Sequence, residues 1–378
     1  MIGTRGVPAS YGGFETAIEE VGQRLVARGH RVVVYSRGDA ASADYRGMER
    51  KRLPAVHRKE LETLSHSALS TFDSAVRLRP DVAFVFNAAN APFLPMLRSS
   101  RIPTALHMDG LEWKRAKWQA SGKRYYRWSE GFGVRWADAL IADAPGISDY
   151  YRSEFGVPTE LLRYGAPILR EAPEDGICAL GLTPGRYHLV VARFEPENHV
   201  LDIVQGYRSS SAAYPLVVVG SAPYAAAYTK DIEDVAASDD RIRLLGGVWD
   251  QSLLDALYHH AFTYVHGHSV GGTNPSLLRA IGAGTGVIAF DVDFNREIVA
   301  DHGLYFSSPK EVARSVEEAE REPEQVAAGV GELSARARRD FDWDVVAEDY
   351  EQLAGRLADG YSVHQLARRA RRRREGPR

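Results

Sequence analysis

The chain has 378 residues, 44% of them hydrophobic, and a net charge of −3, which suits two domains of ordinary size and argues against both global disorder and a basic field for nucleic acid. One cysteine, Cys178, excludes an internal disulfide and fits a reducing compartment, hence a cytoplasmic location. No run of about 18 apolar residues predicts a spanning helix, and Met1 to Arg5 lack the apolar stretch of a signal peptide.

The chain opens on a glycine-punctuated loop containing Gly3, Gly6, Gly12 and Gly13. Phe14 to Ala27 reads as a helix with Phe14, Ile18, Val21 and Leu25 on one face, and Arg31 to Ser36 as a strand. Only Met1 and Ile2 precede the loop, where an α/β fold needs a strand. That leaves a nearly absent first strand or a start further upstream; the second is favoured, because losing a central strand would expose apolar surface. Further strands are expected at Val82–Phe86, Thr104–His107 and Ala139–Ala142, separated by helical stretches. The alternation predicts a parallel sheet with helices on both faces, whose ligands sit beyond the carboxyl ends of strands. That singles out Asn87, His107, Asp109 and Asp143. Asp109 could take a hydroxyl proton or hold a sugar hydroxyl; it could equally cap a turn. From Trp113 to Trp128 basic and aromatic residues crowd together. They suit either a membrane interface or a helix whose aromatics pack inward.

Tyr164 to Pro167 reads as a linker. A second α/β series follows, with strands at His188–Ala192, Leu216–Val219, Arg241–Leu245, Phe262–His266 and Val287–Phe290. The expected domains are residues 1–164 and 165–342, then a helix over 343–360 and a basic tail over 361–378 that is either solvated or attached to anionic lipid. Two such domains imply a cleft between them. Arg193, at the end of the second domain's first strand, could reach a diphosphate there, or pair with Glu195 or Glu197.

The most informative stretch is His266 to Leu278. A strand runs into Gly271 and Gly272, then Thr273 or Asn274 can cap a helix with Pro275 at its first position. Leu277, Leu278 and Ile281 continue the helix, and Gly282-Ala283-Gly284 ends it. Strand, glycine turn and capped helix start aim N–H groups and the positive dipole end at one place, which suits a phosphate. Two metal patterns carry little weight. Asp291-Val292-Asp293 is too short to be specific, and His259, His260, His266 and His268 lack zinc spacing.

Together these residues resemble the GT-B glycosyltransferases of family 4, and a subgroup that includes bacterial polysaccharide rhamnosyltransferases. The resemblance runs nearly end to end: Gly3 to Pro8, Tyr11 to Thr16, Asp109 to Arg115, Arg193 to Asn198, His266 to His268, Gly271 to Ser276, and Phe294 to Glu297. It implies two Rossmann-like doubly wound domains facing a cleft, with a nucleotide-sugar donor on the second and an acceptor on the first, and a terminal helix that returns to the first. It also implies sugar transfer with retention, without cofactor or metal. By the same resemblance, Gly12, Gly13, Arg193, Gly272, Thr273, Asn274 and Ser276 would serve the donor diphosphate, with Arg193 stabilising charge on the leaving group. Asp109 is the second catalytic candidate, and His107, Glu112, Lys114 and Arg115 form the acceptor side. Two positions depart from the family pattern. Asn198 stands where a Lys reaches the phosphates, and the acidic pair falls on Gly271 and Arg279. Since the second carboxylate commonly holds the ribose, Arg279 implies altered nucleotide preference, a phosphate contact, or lost activity. The expectation is transfer of a sugar, rhamnose being one candidate, onto a lipid-linked saccharide at the inner membrane face. The alternatives are a catalytically silent nucleotide-sugar or saccharide-binding partner in polysaccharide assembly, and a nucleotide-sugar epimerase.

Overall fold

The computed structural model describes residues 1–9, 13–37, 43–56, 61–108, 110–114, 119–222, 225–270 and 272–364. Two compact units are present, Met1–Tyr164 with Trp343–Arg378, and Gly165–Asp342.

The first unit contains strands β1 (Val33–Ser36), β2 (Asp44–Tyr45), β3 (Met48–Arg52), β4 (Ala83–Phe86), β5 (Thr104–His107), β6 (Ala139–Ala142) and β7 (Glu160–Leu161). Helices α1 (Gly13–Ala27), α2 (Glu62–Asp73), α3 (Leu94–Ser99), α4 (Ala120–Trp136) and α5 (Pro145–Phe155) lie between them, and α2 runs on into a wider turn over Ser74–Leu78. Strands β4-β5-β6-β7 are parallel, β1 pairs in parallel with β3, and only β2 is antiparallel. Ile2 forms an isolated bridge to Val85. The Ile2 amide donates to Phe84 O (2.9 Å), Phe86 N to Ile2 O (2.9 Å), and Tyr35 N to Met1 O (3.2 Å), so Met1 and Ile2 occupy the place between β1 and β4. Ile2 is itself buried. Val85, Leu106 and Leu140 carry the core around it. The terminal helix, Trp343–Ala358, packs on α1, where Arg24 meets Asp344 (2.6 Å) and Arg28 meets Glu351 (2.7 Å).

The second unit has strands β8 (His188–Val191), β9 (Leu216–Val219), β10 (Ile242–Gly246), β11 (Thr263–His266), β12 (Gly286–Phe290) and β13 (Leu304–Phe306). Its helices are α6 (Asp175–Ala179), α7 (Val200–Arg208), α8 (Ala226–Ala236), α9 (Gln251–His259), α10 (Pro275–Ala283), α11 (Asp293–Val299), α12 (Pro309–Arg321) and α13 (Pro323–Asp340). The strand order is β10-β9-β8-β11-β12-β13, all parallel. Successive strands are added outward from β8 on one side, and then from β11 on the other. The reversal falls between β8 and β11, and connections leaving them diverge to opposite faces, opening a crevice at their carboxyl ends. Val190, Val218, Val265 and Ile288 fill the sheet's interior, with Ile203, Tyr207, Val312 and Val316 packed against them. This is the α/β, two-Rossmann architecture the alternation predicts. Among the described residues, no helix is long and apolar enough to cross a membrane.

Candidate nucleotide-sugar site

In the second unit the sequence-selected residues gather where the topology reverses. Arg193 follows β8, and the loop from Gly267 to Asn274 follows β11. The two loops are stitched together. Asn198 donates from Nδ2 to Arg193 O (2.8 Å), and its Oδ1 faces His268 Nδ1 (2.8 Å). Ser269 donates to Glu197 O through both its amide (2.9 Å) and its hydroxyl (3.0 Å). His199 Nε2 lies 3.0 Å from Ser269 Oγ, and Asn295 Nδ2 donates to His268 O (2.9 Å). At Gly267 a Cβ would overlap the Asn198 carbonyl, so only glycine lets the loops pass this closely. Asn198 is buried, with both ends of its amide engaged. In this structure its side chain ties Arg193 O to His268.

Helix α10 is capped as its sequence predicts, by Asn274 Oδ1 accepting from the Ser276 amide (2.8 Å), with Pro275 first in the helix. Gly284 ends it in the left-handed region (φ 78°). The cap has a consequence for ligand binding. Pro275 has no N–H, Ser276 N is taken by Asn274, and Leu277 and Leu278 both donate to Asn274 O. Neither the Gly272 nor the Asn274 amide, both in the loop ahead of the helix, makes a backbone hydrogen bond among the described residues. An anion there would meet these two amides and the positive end of the helix, rather than the Ser276 amide.

Arg193 is about half-exposed, and its guanidinium lies 3.4 Å from Glu195 Oε2. This is the Glu195 pairing, at a distance looser than a direct hydrogen bond. Arg279 meets Asp255 Oδ1 on α9 at 2.8 Å, and its guanidinium carbon lies 5.9 Å from the Tyr258 ring centre. Its charge is therefore balanced within the unit. His266, at the end of β11, is buried, and burial first, then His268, pushes it well below the ordinary histidine value. Its Nδ1 lies 3.2 Å from the Tyr264 hydroxyl, and its Nε2 has no hydrogen-bond partner among the described residues. Asp291 pairs with Arg296, and among the described residues no group of His, Cys, Asp or Glu is placed to hold a metal ion.

In the first unit Gly13 begins α1, while Gly12, Asp109 and Arg115 lie outside the described residues. Glu112 is buried in a short turn of helix, Glu112–Lys114; the Lys114 side chain lies outside the description. His107 sits at the carboxyl end of β5, but its ring is buried among Phe14 (5.0 Å), Phe86 (5.7 Å) and Tyr164 (6.0 Å). Burial pushes it down to about 3, so it is a neutral ring in an aromatic cage rather than a surface ligand. Sequence reading missed the polar group at the edge of β1. Ser36 Oγ, Arg37 Nε, His66 Nδ1 and Ser67 Oγ are all buried there, without partners among the described residues. In the segment from Trp113 to Trp128, Tyr126 is buried and Trp128 is 52% exposed, and Arg127 lies over the Trp113 ring at 4.6 Å. The Tyr150 hydroxyl donates to Glu130 (3.1 Å), which burial raises to about 7. The aromatics of this segment thus pack partly inward.

A glycosyl transferase 4-like domain matches residues 12–165, and a glycosyl transferases group 1 domain matches residues 182–332. No curated protein matches the sequence. Among solved structures, a sucrose-phosphate synthase from Thermosynechococcus elongatus is 20% identical, with a TM-score of 0.81, covering 92% of this chain and 94% of its own. HepE of Anabaena in complex with UDP-glucose is 14% identical, with a TM-score of 0.75, covering 93% and 98%. A glycosyltransferase from Rickettsia africae is 12% identical, with a TM-score of 0.74, covering 94% and 98%.

Proposed function

Taking as premise that the chain is a GT-B glycosyltransferase, with a glycosyl transferase 4-like domain followed by a group 1 domain, we propose that it moves a sugar from a nucleoside-diphosphate donor to a lipid-linked saccharide in cell-surface polysaccharide synthesis. The observation that carries the donor half of this reading is the convergence at the β8–β11 reversal. Arg193, the Gly272 and Asn274 amides and the start of α10 all stand at one strand edge. A half-exposed arginine and two amides outside the backbone ladder beside a helix N-terminus suit a diphosphate whose charge grows as the glycosidic bond breaks. Arg193 is the group that stabilises that departing charge. The UDP-glucose held by HepE is the kind of donor we infer; rhamnose is our candidate for the sugar transferred here. Retention would follow from front-face attack, in which the leaving diphosphate helps take the acceptor proton and neither a metal nor a cofactor is required. Asp109 and its neighbours Glu112, Lys114 and Arg115 are the acceptor-side residues we propose.

Arg279 favours a second reading. A guanidinium tied to Asp255 leaves no carboxylate at the position that commonly holds the ribose, as in a protein that keeps saccharide contacts without turnover. Release of nucleoside diphosphate from a labelled donor, with a membrane extract as acceptor source, separates the two. The transferase reading predicts acceptor-dependent release that falls at least 100-fold in Arg193→Ala. Donor binding without release would establish the silent partner instead.

A further inference from the structure

Helix α2 is built inside out. Its buried positions are His66, Ser67, Ser70, Thr71 and Asp73, and Ser74 continues them. Its outward stripe is Leu61, Leu69 and Phe72, followed at helical spacing by Val76, and these are 45%, 42%, 52% and 53% exposed. A helix on a water-soluble domain normally does the reverse.

The inner face is fastened by polar contacts. The Tyr35 hydroxyl donates to Asp73 (2.7 Å), Ser74 donates to Tyr35 (3.0 Å), and the Lys51 ammonium stands 2.5 Å from Asp73. His66 Nε2 lies 3.2 Å from Ser36 O. Burial works against the charge on Asp73, yet Lys51 and Tyr35 hold its carboxyl below the usual range. Since this network holds the helix to the sheet, the apolar face is left for something outside the unit.

Area and charge select the occupant. The four side chains and nearby Val56 (48% exposed) present on the order of 400 Å², a functional-sized patch for a monomer but half of the ~800 Å² that each partner of a stable dimer buries. The stripe is about 22 Å long and one side chain wide, the footprint of a helix lying in a surface rather than in a protein groove. Cations stand at one end of it. Arg77 and Arg79 stand exposed at its end, and α3, which packs against α2, exposes Met96 and Arg98, with Arg101 just beyond. Residues 51–100 carry seven Lys or Arg against four Asp or Glu, in a chain whose net charge is −3. An apolar stripe edged by arginines suits the boundary between acyl chains and anionic headgroups.

We propose that the outer face of α2 and the turn after it form a docking surface for an anionic lipid bilayer; the proposal rests on the lipid-linked acceptor of the reading above. The test is flotation of the full chain with vesicles of phosphatidylcholine, alone or with about one-third phosphatidylglycerol. The chain should float with the anionic vesicles, and Leu69→Ser/Phe72→Ser/Val76→Ser should bind them about 100-fold more weakly. Arg77→Ser/Arg79→Ser should lose most of the preference for anionic lipid, and a chain lacking residues 365–378 should keep most of its binding. Phe72→Trp preserves the stripe, and its added emission should shift to the blue on anionic vesicles. Flotation of the triple variant like the parent, flotation that depends wholly on the tail, or an unshifted Phe72→Trp emission would each overturn the proposal. So would a triple variant that changes oligomeric state in sedimentation, since the face would then be a contact between copies. Donor turnover on a detergent-solubilised acceptor should be unchanged in the triple variant. Its absence from the parent chain would sink the transferase reading while leaving the flotation result standing.

Discussion

Helices α10 and α2 sort their side chains in opposite senses. In α10 the buried residues are Leu277, Leu278, Ala280 and Ile281, the cap is a side-chain amide, and the end is a left-handed glycine. In α2 the buried residues are hydroxyls, a histidine and a carboxylate, and the residue at its start, Leu61, makes no side-chain cap. Apolar burial fixes α10 to its sheet and so fixes the loop in front of it, which is what a phosphate cradle requires. Hydrogen bonds and the ion pairs Lys51–Asp73 and Arg37–Glu62 fix α2, which leaves its apolar face unused by the fold. Where the apolar residues point thus separates the helix proposed to hold the donor site from the one proposed to meet a membrane.

The contrast can be broken most sharply in the two hydrophobic faces. Leu278→Ala should cost about 2–5 kcal/mol in a denaturant titration, because it empties a closed core position. Acidification should act on both units. His107 and His266 are held below the ordinary histidine value, so above about pH 6.5 they are neutral folded or unfolded and contribute no pH dependence. Below it the unfolded chain takes up protons that the folded chain refuses, and stability falls as pH falls, toward about 3 for His107. The slope should be about 1.4 kcal/mol per pH unit for each histidine, and His107→Phe should flatten it in the first unit. Tyr35→Phe should cost about 1–2 kcal/mol by leaving Asp73 and Ser74 short of a partner. Asn198→Ala should cost a similar ~1–2 kcal/mol and weaken nucleotide binding as well, because it frees Arg193 O and His268 from their shared anchor. The smallest effect belongs to the outer face of α2: Phe72→Ala should stay within about 0.5 kcal/mol of the parent in the same titration.

The sequence was most legible where one residue type has one use. The strands at Ala139–Ala142 and Leu216–Val219 are aliphatic runs and Thr104–His107 a mostly apolar one, all buried throughout, and they form as predicted. Asn274, Pro275 and Gly284 mark α10 because cap, first turn and left-handed end each admit few residues. Strand β3 was missed because Glu49, Arg50, Lys51 and Arg52 have no apolar alternation, and β7 because two residues carry no pattern. Asn198 reads as a lost lysine until its partner His268 is seen, 70 positions away in sequence and one loop away in space. Periodicity shows that α2 is two-sided, but not which side faces in. That depends on Tyr35 and Lys51, which come from elsewhere in the chain.

The central claim is that the β8–β11 edge of the second unit binds a nucleoside diphosphate through Arg193 and the loop before α10. Its most direct test is a thermal-shift panel with the diphosphates of uridine, deoxythymidine, guanosine and adenosine, on the parent chain and on Arg193→Ala. At about 100 times its dissociation constant the correct nucleotide should add roughly 2.7 kcal/mol of stability. One nucleotide, or one class, should stabilise the parent and lose most of that effect in Arg193→Ala. A panel in which no nucleotide shifts the parent, or in which Arg193→Ala responds as the parent does, would contradict it.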